Sequence, residues 1–128
     1  MTDNAPLDLG RRERQIMEVI YRRGQATVAE VREALEDPPG YSAVRTFLNI
    51  LEEKGHLTHQ QVGLRYLYHP THPRDEAGKA ALKQVLRTFY EGSIANSVAA
   101  LLNDAESLSP DEIAQLIRLI DRAREEGR

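Results

Sequence analysis

The feature that most constrains this chain is a change of hydrophobic period within about 60 residues, from three short helical runs to two alternating ones. From Arg11 to Arg23, the apolar residues Ile16, Met17, Val19, Ile20 and Tyr21 lie among Arg and Glu, which predicts an amphipathic helix ending at Gly24. Thr27-Val28-Ala29-Glu30 has the form of a capping box and opens a second helix, with Val28, Val31, Ala34 and Leu35 on one side. Asp37-Pro38-Pro39-Gly40 stops it, because proline has no N–H to continue the ladder. A third helix is expected from Ser42 to Lys54, with Gly55 as its cap. At about 100° per residue, Val44, Phe47, Leu48 and Leu51 share one face, while Ser42, Arg45, Thr46, Asn49 and Glu53 share the other. Leu57–Val62 and Leu64–Tyr68 then read as a β-hairpin hinged at Gly63. Three helices followed by a hairpin is the order of a winged helix-turn-helix.

Beyond the linker Pro70-Thr71-His72-Pro73 the composition turns to Ala- and Leu-rich helices. They are expected over Arg74–Glu91, Ser93–Asn103 and from Ser109 onward, where Ser109-Pro110-Asp111-Glu112 places a capping Ser, a first-turn Pro and an acidic box residue. Three such helices make a poor core of their own. Their apolar stripes, Leu82, Val85, Leu86, Phe89 and Tyr90, then Val98, Leu101 and Leu102, then Ile113, Leu116, Ile117 and Ile120, point to burial against a second copy. The expected class is mainly α (α+β). Residues 1–10 form an arm, residues 11–72 a winged-helix domain and residues 73–128 a three-helix dimerisation region.

Composition narrows the function. There is no cysteine, which excludes disulfides, thiolate metal sites and a cysteine nucleophile. No apolar run has the length of a membrane span and MTDNAPLDLG lacks the pattern of a signal peptide, so a cytoplasmic protein is expected. No nucleophile elbow or Gly-rich phosphate loop occurs, so no catalytic residue and no cofactor are assigned and an enzyme is not expected. His56, His59, His69 and His72 flank the hairpin, but a three-residue offset on a strand divides side chains between faces, so no metal site is assigned. The net charge of −3 is mildly acidic, yet residues 41–72 carry Arg45, Lys54 and Arg65 against Glu52 and Glu53.

That middle third holds the best candidate for chemistry. Arg pairs with guanine and Asn with adenine in the major groove, and Ser or Thr pairs with several bases. Arg45 and Asn49 lie four apart on the polar face of the third helix, beside Ser42, Ala43 and Thr46. With Lys54 at the helix end and Arg65 and Tyr66 on the hairpin, near Gln60 and Gln61, they form the expected double-stranded DNA surface. A winged-helix protein–protein adaptor, or a metal- or ligand-sensing regulator built on the histidines, is the alternative use of the same architecture.

Several motifs, in order, resemble the penicillinase repressor family. They are Arg14-Gln15-Ile16-Met17-Glu18-Val19-Ile20-Tyr21, Gly40-Tyr41-Ser42-Ala43-Val44-Arg45-Thr46-Phe47-Leu48, Leu51-Glu52-Glu53-Lys54-Gly55-His56-Leu57, and Gly63-Leu64-Arg65-Tyr66-Leu67-Tyr68-His69-Pro70. Phe89–Ser93, Val98–Leu102 and Leu108–Ile113 continue the likeness over roughly residues 9–125. The resemblance implies a homodimeric repressor on a palindromic operator, with Arg45 and Thr46 as the recognition pair, Arg65 as the basic wing position, and a sensor or protease as inducing partner. The chain departs from the family at Ile50, where many members carry Arg. Asn103-Asp104 stands where resistance members have a cleaved Asn–Phe bond, and the cysteine pairs of copper-responsive members are missing.

Overall fold

The computed structural model describes residues 8–104 and 108–127, so most of the expected arm, residues 1–7, lies outside the described residues. The elements run α1 (Arg11–Arg23), β1 (Ala26–Thr27), α2 (Val28–Ala34), α3 (Tyr41–Glu53), β2 (Leu57–Val62), β3 (Arg65–Pro70), α4 (Arg74–Phe89), α5 (Ile94–Leu102) and α6 (Pro110–Glu125). The chain separates into two compact units, one ending at Gln84 and the other beginning at Val85.

In the first unit α1, α2 and α3 bury most of the apolar residues that their spacing marks out, although Ala34 of α2 is exposed and α4 buries none. Ile16, Met17, Val19 and Ile20 of α1, Val28 and Val31 of α2, and Val44, Leu48 and Leu51 of α3 meet Leu57 and Tyr68 of the sheet in a single core. Each such side chain, fully buried, contributes about 1.5–3 kcal/mol. Gly24 stops α1 at φ 90°, a conformation costly for any residue with a Cβ, and its N–H donates to the Ile20 carbonyl. Both halves of the α2 capping box form: Thr27 Oγ1 accepts the Glu30 N–H at 3.2 Å, and Glu30 Oε1 accepts the Thr27 N–H at 2.9 Å. The turn into α3 is held from two sides. Arg12 donates to the Asp37 carbonyl at 3.1 Å and Arg32 Nε to the Pro39 carbonyl at 2.9 Å.

Among the differences from the sequence reading, three bear on the site. First, α3 begins at Tyr41 and ends at Glu53, because Gly40 is already extended and supplies its carbonyl to the Val44 N–H. Second, the hairpin turn takes two residues, Gly63 and Leu64, so β3 starts at Arg65. Gly63 has φ 65° and Leu64 is not at positive φ, the pattern of a turn with glycine at its first central position. Third, the sheet has three antiparallel strands in the order β1-β3-β2, with Ala26 opposite Tyr68 and Thr27 opposite Leu67. β1 is not readable from the sequence, since two residues carry no period and Thr27 also caps α2.

The second unit contains the end of α4 together with α5 and α6. Ser93 caps α5 and Ser109 caps α6 through their hydroxyls, at 3.0 and 3.1 Å from the Asn96 and Glu112 N–H groups, and Pro110 opens α6. Neither α5 nor α6 buries a single residue. Phe89 is 69% exposed, Leu101 60% and Ile117 54%, and Val85, Leu86, Tyr90, Val98 and Leu116 are only half-buried.

Candidate nucleic-acid interface

The burial of Val44, Leu48 and Leu51 fixes the rotation of α3. Tyr41, Ser42, Ala43, Arg45, Thr46 and Asn49 consequently face solvent, and 55% of Tyr41 is accessible. Two of these side chains are already engaged. Thr46 Oγ1 donates to the Ser42 carbonyl at 3.0 Å, leaving its lone pairs for a ligand. Tyr68 Oη donates to Asn49 Oδ1 at 3.2 Å, so the free groups of Asn49 are chiefly its amide donors, which suit guanine N7 and O6 or thymine O4 better than adenine alone. Burial first, and then the Glu52 carboxylate, hold the Tyr68 hydroxyl protonated by raising its pKa, although Arg45 pulls the other way.

The wing rises beside the start of α3 and closes a cleft of about 230 Å³. The cleft is lined by Tyr41 and Arg45 from α3, by Gln61, Leu64, Arg65 and Tyr66 from the wing, and by Thr27, Val28 and Ala29 from β1 and α2. Arg45, Arg65 and Tyr66, singled out from sequence, therefore come together across one opening. Leu64 is wholly exposed at the wing tip. Tyr41 and Leu64 were not among the expected site residues, because their place depends on where α3 starts and on the two-residue turn.

Lys54 does not line the cleft. Its ammonium is bound by the Asp8 carbonyl at 2.8 Å and Glu13 Oε1 at 2.9 Å, so it ties the end of α3 to the start of α1 instead of facing the cleft. Glu13 is 41 positions away in the chain and gave no sequence signal. Three histidines also have carboxylate partners: His56 with Asp8 at 3.0 Å, His59 with Glu52 at 2.7 Å and His72 with Glu76 at 3.3 Å. Among the described residues no three potential ligands converge as a metal would require, and no helix is long and apolar enough to cross a membrane.

Three helices, a short strand and a two-stranded wing around one core define a winged-helix domain of the kind that DNA-binding regulators use. The chain belongs to the penicillinase repressor family, whose profile matches residues 9–122, and is a DNA-binding transcriptional regulator. A comparison with curated proteins finds no match. Among solved structures, the complex structure of hsRosR-S1 aligns with a TM-score of 0.55 at 16% identity, covering 92% of this chain and 96% of that one. A mutant MarR from E. coli, complexed with operator DNA, aligns with a TM-score of 0.50 at 17% identity, covering 92% and 77%. At such identities the likeness is one of fold.

Proposed function

We propose that the protein is a homodimeric repressor whose α3 and wing bind the half-sites of a palindromic operator. The observation that carries this reading is the cleft in which Arg45 on α3 faces Arg65 and Tyr66 on the wing, next to the exposed Ser42, Ala43, Thr46 and Asn49. Arg45 supplies base contact in the major groove and Arg65 supplies phosphate contact beside it. Residues 11–72 serve as the reading domain and residues 73–128 as the dimerisation region.

Dimerisation is supported by the apolar residues of α4, α5 and α6 that stand exposed among the described residues. Leu82, Phe89, Leu101, Leu102, Ile113, Ile117 and Ile120 are exposed, and Val85, Leu86, Tyr90, Val98 and Leu116 are half-exposed. A second copy offers the same stripes in return, as a two-fold interface requires. Joining two reading heads makes the second half-site contact effectively intramolecular. A sensor or protease acting on the C-terminal helices would therefore release the operator without touching α3.

The test is selection of genomic fragments by full-length protein, followed by affinity measured over a range of salt. The expected result is one inverted repeat, with half-sites about 10 base pairs apart or a multiple of that, bound by two copies and weakening steeply with salt. Enrichment of no sequence, or tight binding of a single half-site by one copy, would contradict it.

A further inference from the structure

Behind the DNA-facing cleft, α3 and the wing are joined by a cluster that contact with DNA does not itself require. His59, on β2, places Nδ1 2.7 and 2.9 Å from the two carboxylate oxygens of Glu52, in the last turn of α3. The same ring stacks on Tyr66, with centroids 4.4 Å apart and planes at 27°, and lies 5.4 Å from Tyr68. Tyr66 and Tyr68 meet edge to face at 6.5 Å, and the hydroxyl of Tyr68 is held by Asn49. The wing is thus attached to α3 at two points three residues apart on the helix, Asn49 and Glu52. Tyr66 forms part of the cleft wall while His59 does not.

We propose that His59 is a positioning residue: it couples Glu52 to Tyr66, fixes the wing against α3, and makes the grip on DNA stronger when its ring is protonated. The inference rests on the reading of α3 and the wing as the DNA-binding surface. A neutral ring donates one N–H to the Glu52 carboxylate. A protonated ring turns that bond into an ion pair and puts a cation over the face of Tyr66, which stiffens the same geometry. It also adds positive charge beside a polyanion. All three effects have one sign, so affinity rises as protons are added. The charged and titratable groups gathered around this cluster are Glu52, Arg45 and Tyr41 from α3 and Tyr66 and Tyr68 from β3. The His59 and Glu52 side chains are 31% and 32% exposed, so solvent screens the pair, and the expected difference between charge states is about two- to fivefold in affinity.

The experiment uses full-length protein and the tightest duplex recovered from genomic fragments. Fluorescence anisotropy is read from about pH 5.5 to 8.5 at constant ionic strength. Wild-type affinity is expected to fall about two- to fivefold as pH rises. His59→Gln, which can still donate to Glu52 but cannot be protonated, should show a flat profile near the wild-type value at high pH. His59→Ala should bind more weakly than either across the range, with melting curves showing that both variants remain folded. A wild-type slope in His59→Gln, or wild-type affinity in His59→Ala, would overturn the proposal. Arg45→Ala and Arg65→Ala separate the two levels. If both weaken binding while the His59 variants behave as wild type, only the coupling fails; if neither weakens it, the surface assignment fails and the coupling with it.

Discussion

Glu13 offers a sharp test of what holds α3 in place. Its side chain is 9% exposed, and one carboxylate oxygen accepts both the Gly10 N–H at 2.8 Å and the Lys54 ammonium at 2.9 Å. Burial, the largest single influence, pushes its pKa up. The Gly10 hydrogen bond, the Lys54 hydrogen bond and charge, and His56 together outweigh it and leave the carboxyl below the ordinary 4.5. A group whose pKa is lowered by folding stabilises the fold above its unfolded pKa and loses that contribution as pH falls through the folded value.

Replacing Glu13 by Gln keeps an oxygen for Gly10 but removes the charge that Lys54 meets. A hydrogen bond to a charged group contributes about 1.5–3 kcal/mol. Lys54 is 31% exposed and retains the Asp8 carbonyl, so about 1–2 kcal/mol is expected. For a domain of this size that lowers Tm by roughly 5–15 °C at neutral pH. Tyrosine fluorescence is a suitable probe, since Tyr21, Tyr41, Tyr66 and Tyr68 lie in the winged helix and the chain has no Trp. The gap between wild type and variant should close as pH drops below the carboxylate range, and Lys54→Met should remove most of it. Equal stabilities near neutral pH, or a gap that persists in acid, would show that the Glu13–Lys54 pair does not hold α3.

Thr27→Ala should destabilise the first unit by about 1 kcal/mol through loss of the α2 cap, measured by urea titration. Ile117→Asp places a charge on the uncovered stripe of α6 and should shift the sedimentation coefficient from dimer to monomer while the winged helix keeps its melting profile. Arg65→Ala should weaken operator and random duplex alike and reduce the log–log salt slope by about 1.

Local chemistry made much of this fold legible. Gly24 and the Thr27–Glu30 box mark the α1–α2 junction through interactions no more than four residues long, and the apolar spacing of α3 alone predicts which side of it is buried. The exposed face carrying Arg45 follows from that rotation. Pairings between distant elements were not legible. Lys54 is placed on the DNA surface by sequence because its partner Glu13 is far away in the chain, and His59 is given no partner there because Glu52 sits on another element. Asn49 likewise seemed free to read adenine until Tyr68, brought over it by β3, took its oxygen. The two-residue β1 was lost to its own brevity.

If the protein is the proposed repressor, the exposed face of α3 reads bases. The direct measurement compares wild type and Arg45→Ala on the selected operator and on versions with single base changes. The account predicts a loss of about 1–3 kcal/mol on the operator, reduced discrimination at one base pair in each half-site, and an unchanged dimer. Undiminished affinity with full discrimination at every position would contradict it.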